Sequence, residues 1–411
     1  MMPRCPTPAV LCTYLLASAA IAAETPLSLH DAVATALQEH PALQASADRV
    51  AVGEALRRQA ALSPNPKLIL QSENTRPYLN SSFVYWRDTD NFAYLQQTLE
   101  TGGKKDRRVD LAAANIRRAE LERELLRAQI AGRVKLAYWA AAGAGRIAAL
   151  LREDRASFQR IIEYHEIRVR EGAVAEADLI RVRLEGERLG IALNAADLEA
   201  ERTRIHLFRE MGRTEFPMAT FADSMEPLPD TPAVDLEQAL DRRAEVKLAM
   251  QMVDTARANL RLQQVTAKPN VDVLFGYKRA TGYDSLIGGV QVDLPFQNRN
   301  QGNISAAESD IRVAESALAA TKALVRAEIA AAGRDVEMRR KQLGESLQAM
   351  RKQAEDTARI AEAAYREGGA DLLRLLDAQR VRIETQLFYQ RALAEYRQSA
   401  VNLETALGVA P

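Results

Sequence analysis

The chain has 411 residues, with 55 basic and 55 acidic side chains, so it lacks the clustered basic excess that nucleic-acid binding calls for. Both of its cysteines, Cys5 and Cys12, fall in an N-terminal stretch that carries the single basic residue Arg4, is uncharged from Ala9 to Ala23 and meets its first acid at Glu24. That pattern predicts a secretory signal peptide over residues 1–23, which leaves the mature chain without a thiol and excludes disulfide and thiolate-metal chemistry. No later stretch reaches the roughly 18 apolar residues of a spanning helix, so no transmembrane α-helix is expected.

Ser28, with Asp31 in the first turn behind it, predicts the N-cap of an amphipathic helical stretch running to Ala61 and interrupted at Pro41. Two short strands follow, at about 66–74 and 92–99, around a polar and aromatic stretch from Thr75 to Asn91. A helical run then extends from Lys104 to Glu171; at about 1.5 Å per residue it makes a rod of roughly 100 Å. Gly172 breaks it, and a second helix runs to Gly212. Residues 213–234 hold four prolines and no helical period, which predicts a linker.

After the linker the same order recurs: a helical stretch from Asp235 to Ala267, strands at about 270–277 and 287–294, a long helical run, a break at Gly368-Gly369 and a final helix. Pro64-Asn65 returns as Pro269-Asn270, and Arg170-Glu171-Gly172 as Arg366-Glu367-Gly368. The chain therefore reads as two internal repeats, residues 24–212 and 235–411. In the last helix Leu376, Ile383, Leu387, Ala394 and Val401 recur at spacings of seven and four, the seam of a coiled coil.

Period-two alternation gives the strands one apolar and one polar face. Val271, Val273, Phe275 and Tyr277 share a side; Val290, Val292 and Leu294 oppose Gly289, Gln291 and Asp293; Ala93, Leu95, Gln97 and Leu99 oppose Phe92, Tyr94, Gln96 and Thr98. Tyr78, Phe83, Tyr85, Trp86, Phe92 and Tyr94 gather around the first loop, although aromatics are 5% of the chain. Aromatics at strand ends suit the interface of an outer-membrane barrel; a soluble sheet with a core face is the alternative. Four strands cannot close in a bilayer, where an open edge leaves backbone groups unpaired. Several chains must then share one barrel: two would fill its interior with side chains, and three would leave a pore.

The stretches "LSLHDAVATALQEHPAL", "LETGGKKDRR" and "VDLPFQNRNQG", the duplicated architecture and the paired "REG" turns together resemble the TolC family of outer-membrane efflux proteins over essentially the whole mature chain. Within the family the chain is most similar to the cobalt-zinc-cadmium cation-efflux branch. The resemblance implies a mainly α fold with a small β part. It implies a homotrimer whose twelve-stranded outer-membrane β-barrel, four strands per chain, continues as a long periplasmic coiled-coil α-barrel. It further implies a passive conduit for heavy-metal cations, in contact with outer-membrane lipid and docked through a periplasmic adaptor (membrane fusion) protein onto an inner-membrane pump of the resistance-nodulation-division (RND) class. A drug-efflux or type I secretion channel, and less closely a periplasmic coiled-coil adaptor, are the alternatives.

Carried onto this sequence, the resemblance makes Gly172 and Gly368 the glycines of the periplasmic tip turns. Tyr365 and Asp178 match residues that hold the tip closed, and Asp377 matches one of two acidic positions ringing the aperture. The second acidic position is Arg374 here, and a family basic residue is replaced by Ala370, so the gate charges depart from the family pattern; a pairing of Arg374 with Asp178 is one rearrangement. Three Asp377 side chains about a three-fold axis would form a cation-attracting ring.

The histidines His30, His40, His165 and His206 include no pair at the spacing of a helical zinc site. Glu163, His165 and Glu166 are expected on a solvated face near the tip. Gly102-Gly103 and Gly288-Gly289 are expected to serve strand-end geometry. No nucleotide loop or nucleophile elbow occurs, and neither a cofactor, a resident metal nor an enzymatic activity is expected.

Overall fold

A computed structural model describes residues 26–78, 81–226, 235–280 and 282–409. The signal segment, with Cys5 and Cys12, lies outside the described residues, as do 227–234 of the linker. The elements in chain order are α1 (Leu29–Glu39), α2 (Pro41–Ala60), β1 (Lys67–Glu73), α3 (Tyr85–Asp88), β2 (Asp90–Leu99), α4 (Lys104–Arg170) and α5 (Glu176–Glu210). They continue with α6 (Leu236–Arg242), α7 (Ala244–Thr266), β3 (Val271–Ala280), β4 (Tyr283–Val292), α8 (Gln301–Lys341), a π-helical segment (Gln342–Leu347), α9 (Gln348–Arg366) and α10 (Leu372–Ala406). Among the described residues no helix is long and apolar enough to cross a membrane.

Ser28 caps α1, its hydroxyl accepting from the Asp31 amide at 3.0 Å. Pro41 stands at the start of α2, where its missing N–H is not needed, and His40 Nδ1 accepts from the Ala42 amide. The second half makes the same corner without a proline, and there the expected single helix divides at Arg243. The reason is tertiary: the buried Arg243 guanidinium donates to the carbonyls of Thr405 and Ala406 and pairs with Glu245 and Glu328, which holds the chain extended at that residue.

The four strands form one antiparallel sheet in the order β1-β2-β3-β4. β4 lies earlier than the expected 287–294, because the hairpin pairs as far as Ala280 with Tyr283, leaving Leu294 beyond the strand. Gly288-Gly289 is consequently in mid-strand and not at a strand end; a Cβ at Gly289 would stand 3.2 Å from Leu274. The register aligns Leu68, Leu95 and Phe275 across three strands, and Gln97, Val273 and Val290 beside them, on one face. Most of that face is apolar and exposed, with Leu70 72% and Leu286 75% accessible. The opposite face carries Lys67, Gln96, Thr98, Asp272, Lys278 and Gln291.

Below the sheet the helices form two cores. Ile130, Val134, Tyr138, Leu207 and Phe208 enclose α1 in the first half; Val246, Ile329, Tyr396 and Leu403 cluster with Leu240 of α6 in the second. The segment after Gly212 straps the two together, with Met225 packed against both. Phe221 bridges to Leu27, the Tyr138 hydroxyl donates to Asp223 at 2.7 Å, and the Tyr389 hydroxyl donates to Glu226 at 2.6 Å. Burial, reinforced by these carboxylates, raises the Tyr138 hydroxyl well above the usual tyrosine range and pushes Tyr389 up to about 12. Arg397 stacks over Trp139 at 4.8 Å and donates to the Ser224 and Met225 carbonyls.

Beyond the strap the chain continues as two helical hairpins, α4–α5 and α9–α10, with α4 packed between α5 and α10 and α9 packed on the far side of α10. Ala148, Leu151, Leu193, Ala196 and Ile383 form their shared seam. Of the seam read from the last helix, Leu376, Ile383, Ala394 and Val401 are buried and Leu387 is half-buried.

Candidate functional site

Both hairpins reverse at a glycine, and the hydrogen bonds explain the residue. After α4, the Gly172 amide bonds to Val169 O at 3.0 Å and the Ala173 amide to Arg168 O at 2.9 Å; after α9, Gly368 bonds to Tyr365 O and Gly369 to Ala364 O. This double bond pattern requires a left-handed residue, and Gly172 and Gly368 have φ of 70° and 81°. The turns lead into α5 and α10. Asp371 opens α10, its carboxylate accepting from the Arg374 amide at 2.9 Å.

The tips are joined by a small apolar group: Phe158, Val182, Leu372, Leu375 and Leu376, with Ile161, Ile162 and Tyr365 against it. At its edge lies His165, which is fully buried. The expectation of a solvated face for His165 is therefore corrected. Leu151, Phe158 and His165 follow one another at intervals of seven, so His165 occupies the buried seam of α4. That spacing was the signal available in the sequence.

His165 Nδ1 lies 2.7 Å from the Ile161 carbonyl, which can only accept, so Nδ1 carries the proton. Nε2 is then an acceptor, and the Tyr365 hydroxyl donates to it at 2.8 Å. The two rings stack, 17° from parallel with centroids 5.6 Å apart, while Tyr164 meets His165 edge-on and Arg168 lies over Tyr164. Burial raises the Tyr365 hydroxyl above its ordinary range against the opposing charge of Arg168, and Asp178 adds to the rise. The hydroxyl is thus kept protonated, as a donor must be.

Asp178 lies half-buried in the first turn of α5, close enough to act electrostatically on Tyr365 but not its hydrogen-bond partner. Asp377 is exposed on α10 and pairs with Arg380 at 2.5 Å. Arg374 is exposed in the first turn of α10, and no ion pair joins it to Asp178 among the described residues. The structure thus gathers Gly172, Asp178, Tyr365 and Gly368 around the tip and leaves Arg374 and Asp377 exposed on α10, outside the buried tip group. A second connection escaped the sequence: buried Asp154 of α4 pairs with Arg382 of α10 at 2.7 Å. Among the described residues no group of three or more histidines and acids converges as a metal site.

A tall helical hairpin pair beneath an open four-stranded sheet defines a class. Residues 236–409 match the family described as outer membrane efflux protein. Among solved structures, CusC superposes with a TM-score of 0.77 at 17% identity, covering 94% of this chain and 93% of that one. The open state of the Neisseria gonorrhoeae MtrE outer membrane channel superposes with a TM-score of 0.76 at 16% identity, covering 99% and 98%. Residues 236–409 thus carry the match to the outer membrane efflux proteins, and the chain as a whole has the fold of the TolC-like outer-membrane channels. Over 407 residues, 93% of this chain and 90% of the relative, it is 25% identical to the cobalt-zinc-cadmium resistance protein CzcC of Cupriavidus metallidurans.

Proposed function

We propose that the chain is the passive outer-membrane conduit of a tripartite RND efflux system and carries heavy-metal cations of the cobalt, zinc and cadmium class. The observation that carries this reading is the similarity to CzcC along nearly the full length of both chains. Nothing in the reading calls for catalysis: the pump supplies the energy, an adaptor bridges the periplasm, and this chain supplies the pore.

The free edges of the molecule support a homotrimer. Among the described residues β1 and β4 are unpaired on their outer sides, which a bilayer does not tolerate. Beneath them α2 and α8 end the upper helical row, and α5 and α9 end the lower one. On α5, Ile180, Leu184, Ile191 and Leu198 are exposed at spacings of four, seven and seven, a coiled-coil seam without a partner among the described residues. Three copies joined edge to edge close the sheet into a barrel wide enough to conduct, the apolar face toward lipid and the polar face toward water.

Ion-by-ion metal sensitivity of a deletion strain, with complementation, tests the cargo: sensitivity to zinc, cobalt or cadmium is expected, and sensitivity confined to organic compounds would overturn the metal reading. Fractionation tests the assembly, the expected result being a heat-labile trimer in the outer membrane; a soluble monomer would sink it. Within the trimer, Asp377 and its two symmetry mates form the cation-attracting ring and Asp178 helps keep the tip closed. Single-channel recordings in which Asp377→Ala leaves conductance and cation selectivity unchanged would dispose of the ring.

A further inference from the structure

We propose that His165 is the positioning residue of the gate: through its bond to Tyr365 it pins the free end of α9 to the first hairpin and holds the tip shut. The proposal rests on the channel reading above. Three observations carry it. First, α9 is the outermost helix of its row, packed on α10, and Tyr365 is its one contribution to the apolar group that joins the tips. Second, α9 leaves the core through the π-helical segment Gln342–Leu347, a wide turn whose i→i+5 ladder interrupts the α-helix above the tip. The far end of α9 is therefore tethered to α4 at a single side chain, beyond a weak point in its own helix.

Third, the tether is directional. Ile161 O commits the Nδ1 proton, so in the neutral ring Nε2 accepts and Tyr365 donates. The Asp154–Arg382 pair ties α4 to α10 and leaves α9 untouched, so breaking the His165–Tyr365 bond releases α9 from α4 while α10 stays tied to it. Arg168 and Asp178 also act on the Tyr365 hydroxyl, Arg168 as a donor to it and Asp178 by charge alone, and the test must separate them from His165.

The test is conductance of the full-length protein in planar bilayers, each variant first shown to form the same heat-labile trimer. Tyr365→Phe keeps the stacked ring and removes the donor; His165→Phe keeps a ring and removes the acceptor. Each variant removes the bond from all three protomers and is expected to raise the conducting fraction of the resting channel at least about tenfold, the factor one buried hydrogen bond is worth. The double variant is expected to add nothing, since the two residues share one bond. His165→Gln, whose amide oxygen can accept the phenolic proton, is expected to restore the closed tip, which mere loss of packing would not allow. Resting conductance at the wild-type level in both single variants would overturn the proposal, as would opening by Asp178→Ala with none by His165→Phe. Failure of the wild-type protein to form any pore would remove the channel reading itself.

Discussion

The two long descending legs differ in one respect that their shared pattern of buried positions makes legible. In the first half α4 runs without interruption from Lys104 to Arg170; in the second, α8 and α9 are separated by the π-helical segment. Above that segment Ile130, Val134, Ala141 and Ala148 match Val325, Ile329, Val336 and Leu343, all buried. Below it Leu151, Phe158 and His165 match Leu347, Ala354 and Ala361, also buried, but the distance along the chain has grown by one residue. The π turn is thus a one-residue insertion absorbed locally, so that the seam faces the same way above and below.

Deletions break this comparison most sharply. Removing Gly344, which is exposed and whose Cβ would touch nothing within 4 Å, converts the wide turn to an ordinary one and is expected to leave a folded trimer. Removing Ala149 from α4 rotates every residue below it by about 100° and turns Leu151, Phe158 and His165 out of the seam, so loss of the heat-labile trimer on gels is expected. Truncations of matched core residues come next. Leu207 and Leu403 are 0% and 1% exposed at corresponding places, and Leu→Ala at either is expected to cost about 2–5 kcal/mol by urea unfolding in detergent. Values differing by more than about 1 kcal/mol would show that the two cores are not equivalent.

The glycine caps sharpen a second contrast. A Cβ at Gly212 would stand 2.9 Å from Pro41 Cδ and 3.2 Å from His40 Cα, whereas one at Gly172 meets nothing within 4 Å. Gly172→Ala is therefore expected to cost only the left-handed backbone, about 1–2 kcal/mol, and Gly212→Ala that amount plus roughly 1–3 for the clash, read in the same unfolding curves. The smallest effect concerns the matching corners His40 and Arg243. Burial holds the His40 imidazole below its ordinary 6.5, helped by Arg133 and opposed by Glu210. The unfolded chain then binds the proton more readily, so the stability tied to His40 is present above pH 6.5 and declines as the pH falls below it. Hydrogen exchange at mildly acid pH is expected to quicken in α1–α2 more than in α6–α7, and His40→Asn, which retains a cap, to remove the difference.

Much of the fold was legible because it is written in periods. The Ser28 cap, the Pro41 interruption, the alternation of the strands, the glycine turns and most of the seam of the last helix each follow from local pattern, although β4 is shifted from its expected bounds. What escaped depends on residues remote in the chain. The break at Arg243 is made by carbonyls of Thr405 and Ala406, and the end of β4 by pairing with β3. The π turn shows only when the buried positions of the two halves are compared. At the tip, the glycines were readable, since only a left-handed residue closes those turns. The partner of Tyr365 was not, because His165 lies 200 residues away and sits beside acids that suggested an exposed surface.

The His165–Tyr365 bridge also distinguishes the halves. Their counterparts are Val169 in place of Tyr365 and Ala361 in place of His165, which can form no such bond. Three copies of the chain would set six nearly alike hairpins in a circle, yet only alternate junctions between them would be stitched. Stiff and compliant seams would then take turns around the rim. A rim of that kind cannot dilate evenly like a round collar; it parts along three lines, and the opening it makes is three-cornered.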